Sequence, residues 1–355
     1  MFRWCKCMDD IRQIISRAVS ERLFPCCVAG VTTRTLERQI WAEGALTGEE
    51  DAAPAGENTI FDVASITKSI PTACLALMMV EEGTLSLKSR VADYVPEFRG
   101  KYRDEVMLYH LLTHTLDYNF RLSSMKDRPA KEIIDHICSA DFVSPPGTHF
   151  AYANATSILL GLMVERAAGN SLDNLAGSLF FSPLRMHRTT FYGDSFSARE
   201  IAPTEYDHWR GRMLQGEVHD ESAFTLRQEK VVGSAGLFST VPNLLCFAEM
   251  LLNEGKLNGH RFFTAEMIKR MHTNQIGHLN GCAGLGWELC RREYMGNEVS
   301  ENAFGKTGFT GCVIIIDPEK GKAVVILSNY TFPRRKDSKD PINEFRRDIA
   351  DRVFA

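Results

Sequence analysis

Apolar and polar positions follow two rhythms along this chain. Residues 9–22 carry a helical period, with Ile11, Ile14, Ile15 and Val19 on one side. CCVAGVTT and RQIWAEG then read as short strands, and TGEEDAAPAGEN, residues 47–58, reads as a loop. From about 61 to 280 the pattern is mainly helical. ATSILLGLMVERAAGN keeps a 3.6-residue period and ends at Gly169, and STVPNLLCFAEMLLNEG offers a cap at Ser239 or Thr240 with Pro242 in the first turn. The long polar stretch 194–230, dotted with aromatics, reads as a loop; loops of that length in compact domains are usually functional.

After 283 the rhythm changes. GLGWEL, FGKTGF, CVIIID and KAVVILSN read as strands, with a hairpin turning through Pro318 to Gly321. DPINEFRRDIADRVF closes the chain as a helix capped by Asp340, with Pro341 at its first position. Strands gather at both ends and helices occupy the middle. The pattern therefore predicts an α/β domain from residues 1–60 and 283–355, with a mainly helical domain, 61–282, inserted into it.

Composition narrows the function. The 355 residues are 44% hydrophobic and 24% charged, an ordinary globular profile, and the net charge of -4 gives no basic field for nucleic acid. No apolar run reaches the length of a membrane span, and the N-terminal residues, with Asp9 and Asp10, lack the apolar stretch of a secretory signal. A cytoplasmic protein is expected. The ten cysteines form no C-x-x-C pair. In a reducing compartment all ten are expected as free thiols, Cys74, Cys138, Cys246 and Cys312 as small core residues. Cys5 and Cys7, in an exposed-looking terminus, could bind a metal or oxidise, and two ligands alone do not make a metal site.

Chemistry enters at FDVASITKSIPTACLALMMVEE, residues 61–82. Ser65 and Lys68, three apart, share one helix face. Two explanations stand at this point: a serine N-cap with a solvated lysine, or a nucleophile with its activating amine. A second S-x-x-K, SSMK at 123–126, lacks a following apolar helix and shows how little the tetrapeptide means alone. Pro71, inside the predicted helix, should kink it. Two further triplets bear on the choice: Tyr152-Ala153-Asn154, leading into a helix, and Lys306-Thr307-Gly308 on a predicted strand.

In this order and context the three motifs resemble the penicillin-recognising serine hydrolases: class C β-lactamases, DD-peptidases and family VIII esterases. The resemblance spans nearly the whole chain, taking in VEEGTLSLKSRVADYVPEF, HLLTHT, SAGLFST and GFTGCVIIIDPEKGKAVVILSN, and Tyr-Ala-Asn favours the class C and esterase branch. Leu116-Asp117-Tyr118 stands where the family usually has Ser-Gly after HLLTHT. The resemblance implies a β-lactamase/transpeptidase-like fold: an antiparallel sheet flanked by helices, with Ser65, Lys68 and Tyr152 carried by the helical insertion.

It also implies roles. Ser65 is the nucleophile, and Lys68 and Tyr152 move its proton, with Tyr152 kept ionised by Lys68 and Lys306. Asn154 holds Lys68 and a substrate amide oxygen. The backbone N–H groups of Ser65 and Phe309, reached past Thr307 and Gly308, form the oxyanion hole. Lys306 suits a substrate carboxylate. The expected activity is hydrolysis of a small amide, peptide, β-lactam or ester through an acyl-enzyme. A cytoplasmic esterase or acyltransferase is the alternative, and an inactive ligand-binding relative the third. The expected partner is a small molecule or short peptide, with no nucleic acid, membrane span, cofactor or metal; oligomeric state is left open. His110 and His114 have zinc-helix spacing but lack the glutamate of H-E-x-x-H, so packing and hydrogen bonding beneath the site is preferred for them. His219 and Asp220 either line the pocket or are simply solvated in their loop. Gly284-Leu285-Gly286 lacks the helix of a phosphate loop.

Overall fold

A computed structural model describes residues 2–355, with side chains from Asp10 onward. Cys5 and Cys7 therefore lie outside the described side chains. The main sheet has six strands: β1 (Cys26–Thr33), β2 (Arg38–Gly44), β3 (Glu288–Leu289), β4 (Phe304–Thr307), β5 (Val313–Asp317) and β6 (Lys322–Ser328). Their spatial order is β2-β1-β6-β5-β4-β3 and every pairing is antiparallel. Both chain ends thus supply one sheet.

The helices used below are α1 (Phe2–Ser20), α2 (Cys74–Glu81), α3 (Asn154–Ala168), α4 (Glu221–Leu226), α5 (Val241–Leu252) and α6 (Asp340–Phe354). Both sheet faces are buried, so strand side chains are apolar on both sides. Cys27, Ala29 and Val31 of β1 face a core shared with α1 and α6, while Cys26 and Val28 join the larger core that continues among the helices. Gly30 is the point of closest approach: a Cβ there would meet Val241 and Leu245 of α5 at 2.4 and 2.9 Å.

Local signals place most elements. Thr240 caps α5, accepting from the Asn243 N–H at 3.4 Å, and Gly169 ends α3 at φ 64°. The boundary at 61 is blurred, since residues 61–62 pair with 238–239 as a short ladder within the mainly helical region. Three expectations need correction. Asp340 is the first residue of α6, with Lys339 before it and no side-chain cap. GLGWEL contributes only the two-residue β3, because Gly286 (φ 77°) turns the chain. The 194–230 stretch is ordered, not an open loop: it forms a hairpin, 205–207 with 212–214, and α4. Buried Arg210 clamps it, donating to the carbonyls of Val218 and His219, both at 2.7 Å.

A fourth correction concerns the cysteines. Cys282 and Cys290 form a disulfide, while Cys26, Cys27, Cys74, Cys138, Cys246 and Cys312 are free. The chain reversal into β3 brings their Cα atoms to 6.2 Å, within bridging range. Among the described residues, no helix is long and apolar enough to cross a membrane.

Candidate active site

Ser65 sits on a backbone bent on purpose. After Phe61–Asp62 the chain enters a 3-10 turn, Ala64–Lys68, whose preceding residue is Val63, so Ser65 is inside the turn and does not cap it. Ala64 adopts φ 46°, a left-handed conformation that costs a non-glycine residue roughly 1–3 kcal/mol. Asp62 Oδ1 compensates by accepting the Ala64 N–H at 2.8 Å, and Thr67 Oγ1 donates to the Ala64 carbonyl at 2.6 Å. Asp62 Oδ2 accepts the His219 N–H at 2.8 Å; burial raises this carboxyl to about 6. Beyond the turn, Ile70 leaves helical geometry (φ -114°, ψ 110°) ahead of Pro71, and α2 restarts at Cys74. The kink expected from Pro71 is present.

Lys68 is 3% exposed, and its Nζ donates to Ser65 Oγ at 2.9 Å and to the Ser234 carbonyl at 2.6 Å. Burial pushes its ammonium pKa down. The Ser234 carbonyl comes this close because Gly233 packs against α3, where a Cβ would meet the Ser157 carbonyl at 2.5 Å.

Tyr152 stands just before α3 with its ring 46% exposed in the cleft wall, while its phenol end turns inward to Ser65, Lys68 and Lys306. The two ammonium nitrogens lie 5.3 Å (Lys68) and 4.5 Å (Lys306) from the ring centroid. Burial alone would raise the phenol, but the two cations outweigh it and the pKa falls below its usual 10. His114 supports the ring from beneath at 4.8 Å and is held neutral by burial and the same cations; His110 accepts the Met107 N–H at 3.1 Å.

Lys306 on β4 is 2% exposed and ion-paired with Glu288 of β3, which also accepts from Tyr294 Oη at 2.7 Å. Burial opposes the charge on Lys306, yet Glu288 prevails and its pKa rises. Glu288 went unnoticed in the sequence; the lone acid in GLGWEL, a short run otherwise without charge, was the signal. Glu288 therefore already balances the charge of Lys306, and the substrate carboxylate expected there would be a second anion beside this pair.

Asn154 Nδ2 donates to Asp220 Oδ2 at 2.8 Å, while Asp220 Oδ1 accepts from Ser222 Oγ and from the Ala223 N–H as the cap of α4. Asp220 thus ties the 194–230 segment to the site. His219 is buried against Phe309, ring centroids 5.5 Å apart; burial and Arg335 lower it to about 3. Simple solvation is excluded for both residues.

Thr307, Gly308 and Phe309 bring the end of β4 to the serine. A Cβ on Gly308 would meet the Val63 carbonyl at 2.4 Å, so only glycine lets the two backbones approach this closely. Ser65, Tyr152, Asn154, Asp220 and Thr307 to Phe309 line one cleft of about 550 Å³. The second motif is elsewhere: Ser123 is exposed and Lys126 Nζ lies over the Trp209 ring at 5.0 Å.

The family described as Beta-lactamase matches residues 11–347. The chain belongs to the β-lactamase family. Among curated relatives of this β-lactamase-family chain, the N-acetylmuramyl-L-alanine amidase of Bacillus subtilis (strain 168) is 28% identical over 325 residues, covering 82% of this chain and 72% of the relative. A putative D-alanyl-D-alanine carboxypeptidase of Escherichia coli (strain K12) is 28% identical over 311 residues, covering 79% and 71%. The solved structure of EstCE1, a hydrolase with promiscuous acyltransferase activity, superposes with a TM-score of 0.78 at 19% identity, covering 97% of this chain and 98% of that one. The fold is that of β-lactamases and penicillin-binding proteins, and the chain is a member of their serine hydrolase superfamily.

Proposed function

We propose that the chain is an active-site serine hydrolase working through an acyl-enzyme, with Ser65 as nucleophile. The 2.9 Å contact from Lys68 Nζ to Ser65 Oγ, beneath a phenol held by two cations, is the observation that carries this. Lys68 spends its protons as a donor, to Ser65 and to Ser234, so the base is Tyr152. Ser65 Oγ attacks the substrate carbonyl and its proton passes to the Tyr152 phenolate. The N–H groups of Ser65 and Phe309 hold the tetrahedral oxyanion. Tyr152 then protonates the leaving group, and water, with Tyr152 again as base, releases the acyl group.

Two substrate classes follow. The charge balance of Lys306 and Glu288 supports an acyl ester with no carboxylate beside the reacting carbonyl, and hydrolysis or acyl transfer would use the same residues. Cleavage of a peptide ending in a D-amino acid is the second, supported by Lys336 and Lys339 on the cleft rim and by the relatives named amidase and carboxypeptidase. A stopped-flow comparison of a short-chain p-nitrophenyl ester, a D-alanyl-D-alanine peptide and a β-lactam tests this. The expected result is a burst of p-nitrophenol equal to the enzyme concentration, with product partitioning when an alcohol is added. No burst and no turnover of any of the three would contradict the proposal.

A further inference from the structure

Helix α6 docks on the sheet through Ile342, Phe345, Ile349 and Val353, all buried in the core shared with α1. Side chains of this kind contribute about 1.5–3 kcal/mol each when buried. Arg346 interrupts that apolar face and is itself 3% exposed. Its Nη2 donates to the carbonyl oxygens of Gly308 at 3.1 Å and Cys312 at 2.9 Å, and Nη1 donates to Asn343 Oδ1 at 2.9 Å. Its Nε has no hydrogen-bond partner, and among the described residues no carboxylate stands at ion-pair distance from it. Burial lowers the guanidinium to about 10, which leaves it charged at neutral pH. A buried cation without a counter-ion is costly, and a neutral amide would bridge two carbonyls with less desolvation.

What sets Gly308 apart is its neighbour. The Gly308 carbonyl and the Phe309 N–H are opposite ends of one planar peptide group. We infer, on the basis of the acyl-enzyme proposal above, that Arg346 is a positioning residue for the oxyanion hole, fixing this peptide plane and strengthening the Phe309 N–H as a donor. A cation hydrogen-bonded to the carbonyl draws electron density toward that oxygen and leaves the N–H at the far end more positive. The plane is locked from other sides too. The Gly311 N–H donates to the Gly308 carbonyl at 3.2 Å, and the preceding peptide is held by the Gly308 N–H, which donates to the Cys312 carbonyl at 2.7 Å, and by the packing of Gly308 against Val63. The guanidinium is held at the carbonyl end of this peptide, where Arg346 and Asn343 also line the cleft, and the Phe309 N–H is at the opposite end.

The test compares Arg346→Gln, which keeps donors without charge, with Arg346→Met, which suits an apolar setting, and Arg346→Lys, which restores charge. Each is acylated with a 13C-carbonyl ester, and the acyl C=O stretch is read by difference infrared spectroscopy beside kcat, KM and Tm. In the parent the band should lie below that of the denatured acyl-enzyme. In the Gln and Met variants it should move up, with kcat lowered about tenfold and KM within about twofold, a smaller loss than the roughly hundred- to thousandfold of deleting an oxyanion donor. The Lys variant should fall between. An unmoved band in a folded Gln or Met variant, or a loss confined to KM, overturns the inference and leaves the acyl-enzyme proposal standing. Failure of both charge-free variants to fold assigns Arg346 to folding and overturns it as well. A parent that forms no acyl adduct overturns both.

Discussion

In the stretch Ser65–Lys68 the lysine is 3% exposed and donates to the serine oxygen at 2.9 Å; in the stretch Ser123–Lys126 the serine is exposed and the ammonium rests on Trp209. The spacing is the same and each serine falls in a 3-10 turn. What differs is the surroundings. Ser65 is preceded by a strained, hydrogen-bonded Ala64 and faces Tyr152, Lys306 and the end of β4. Ser123 is exposed and lies outside the cleft that these groups line. The tetrapeptide supplies two functional groups at the right spacing. Burial, neighbouring charge and a fixed backbone separate the two serines.

Removing the two hydroxyls separately should give the largest difference. Ser65→Ala should lower kcat/KM by roughly four orders of magnitude or more, since nucleophile and base act as a unit. Ser123→Ala should leave it unchanged, and a comparable loss in both would end the distinction. Next in size is Lys306→Ala. Its partner is Glu288, so about a hundredfold loss of kcat/KM should appear on neutral and carboxylate-bearing substrates alike. The pH profile carries the sign. A phenolate base works only when deprotonated, so activity rises as pH rises through the Tyr152 pKa, on a limb centred below the usual phenol value near 10. Removing one of the two cations that lower it should shift that limb to higher pH. A limb that stays in place would mean Lys306 does not tune Tyr152. The smallest effect is expected at Lys126→Ala: about 0.5–1 kcal/mol of stability from the lost ammonium–ring contact, read by denaturant unfolding, with unchanged turnover.

Much of this was legible in the sequence. The β1, β2, β5 and β6 runs and the Pro71 break follow from local pattern, because each is fixed by neighbours in the chain; the assembly of the sheet from both chain ends was legible from the grouping of strand-like runs at the two termini and from the resemblance, although the pairing itself is long-range. The motif residues were legible for another reason: three weak triplets in one order constrain each other. Glu288 and Arg346 were not legible as site residues, and Asp220 was legible only as one that either lines the pocket or is solvated, not as the partner of Asn154. Each acts through a partner far along the chain: Glu288 on Lys306, Asp220 on Asn154, Arg346 on Gly308. Spacing within a helix or strand carries no trace of such pairs. The Cys282–Cys290 bridge was missed likewise, since it depends on a chain reversal at Gly286 that the strand-like run GLGWEL conceals.

The central claim is that Ser65 alone becomes acylated. Its most direct test is intact-mass analysis followed by peptide mapping, on parent and Ser65→Ala, after exposure to a fluorophosphonate and to a short-chain p-nitrophenyl ester. One adduct per parent chain is expected, on the peptide bearing Ser65, and none on the variant, with both melting alike. An adduct on Ser123 or Ser124, equal labelling of the two proteins, or an unlabelled parent would contradict it.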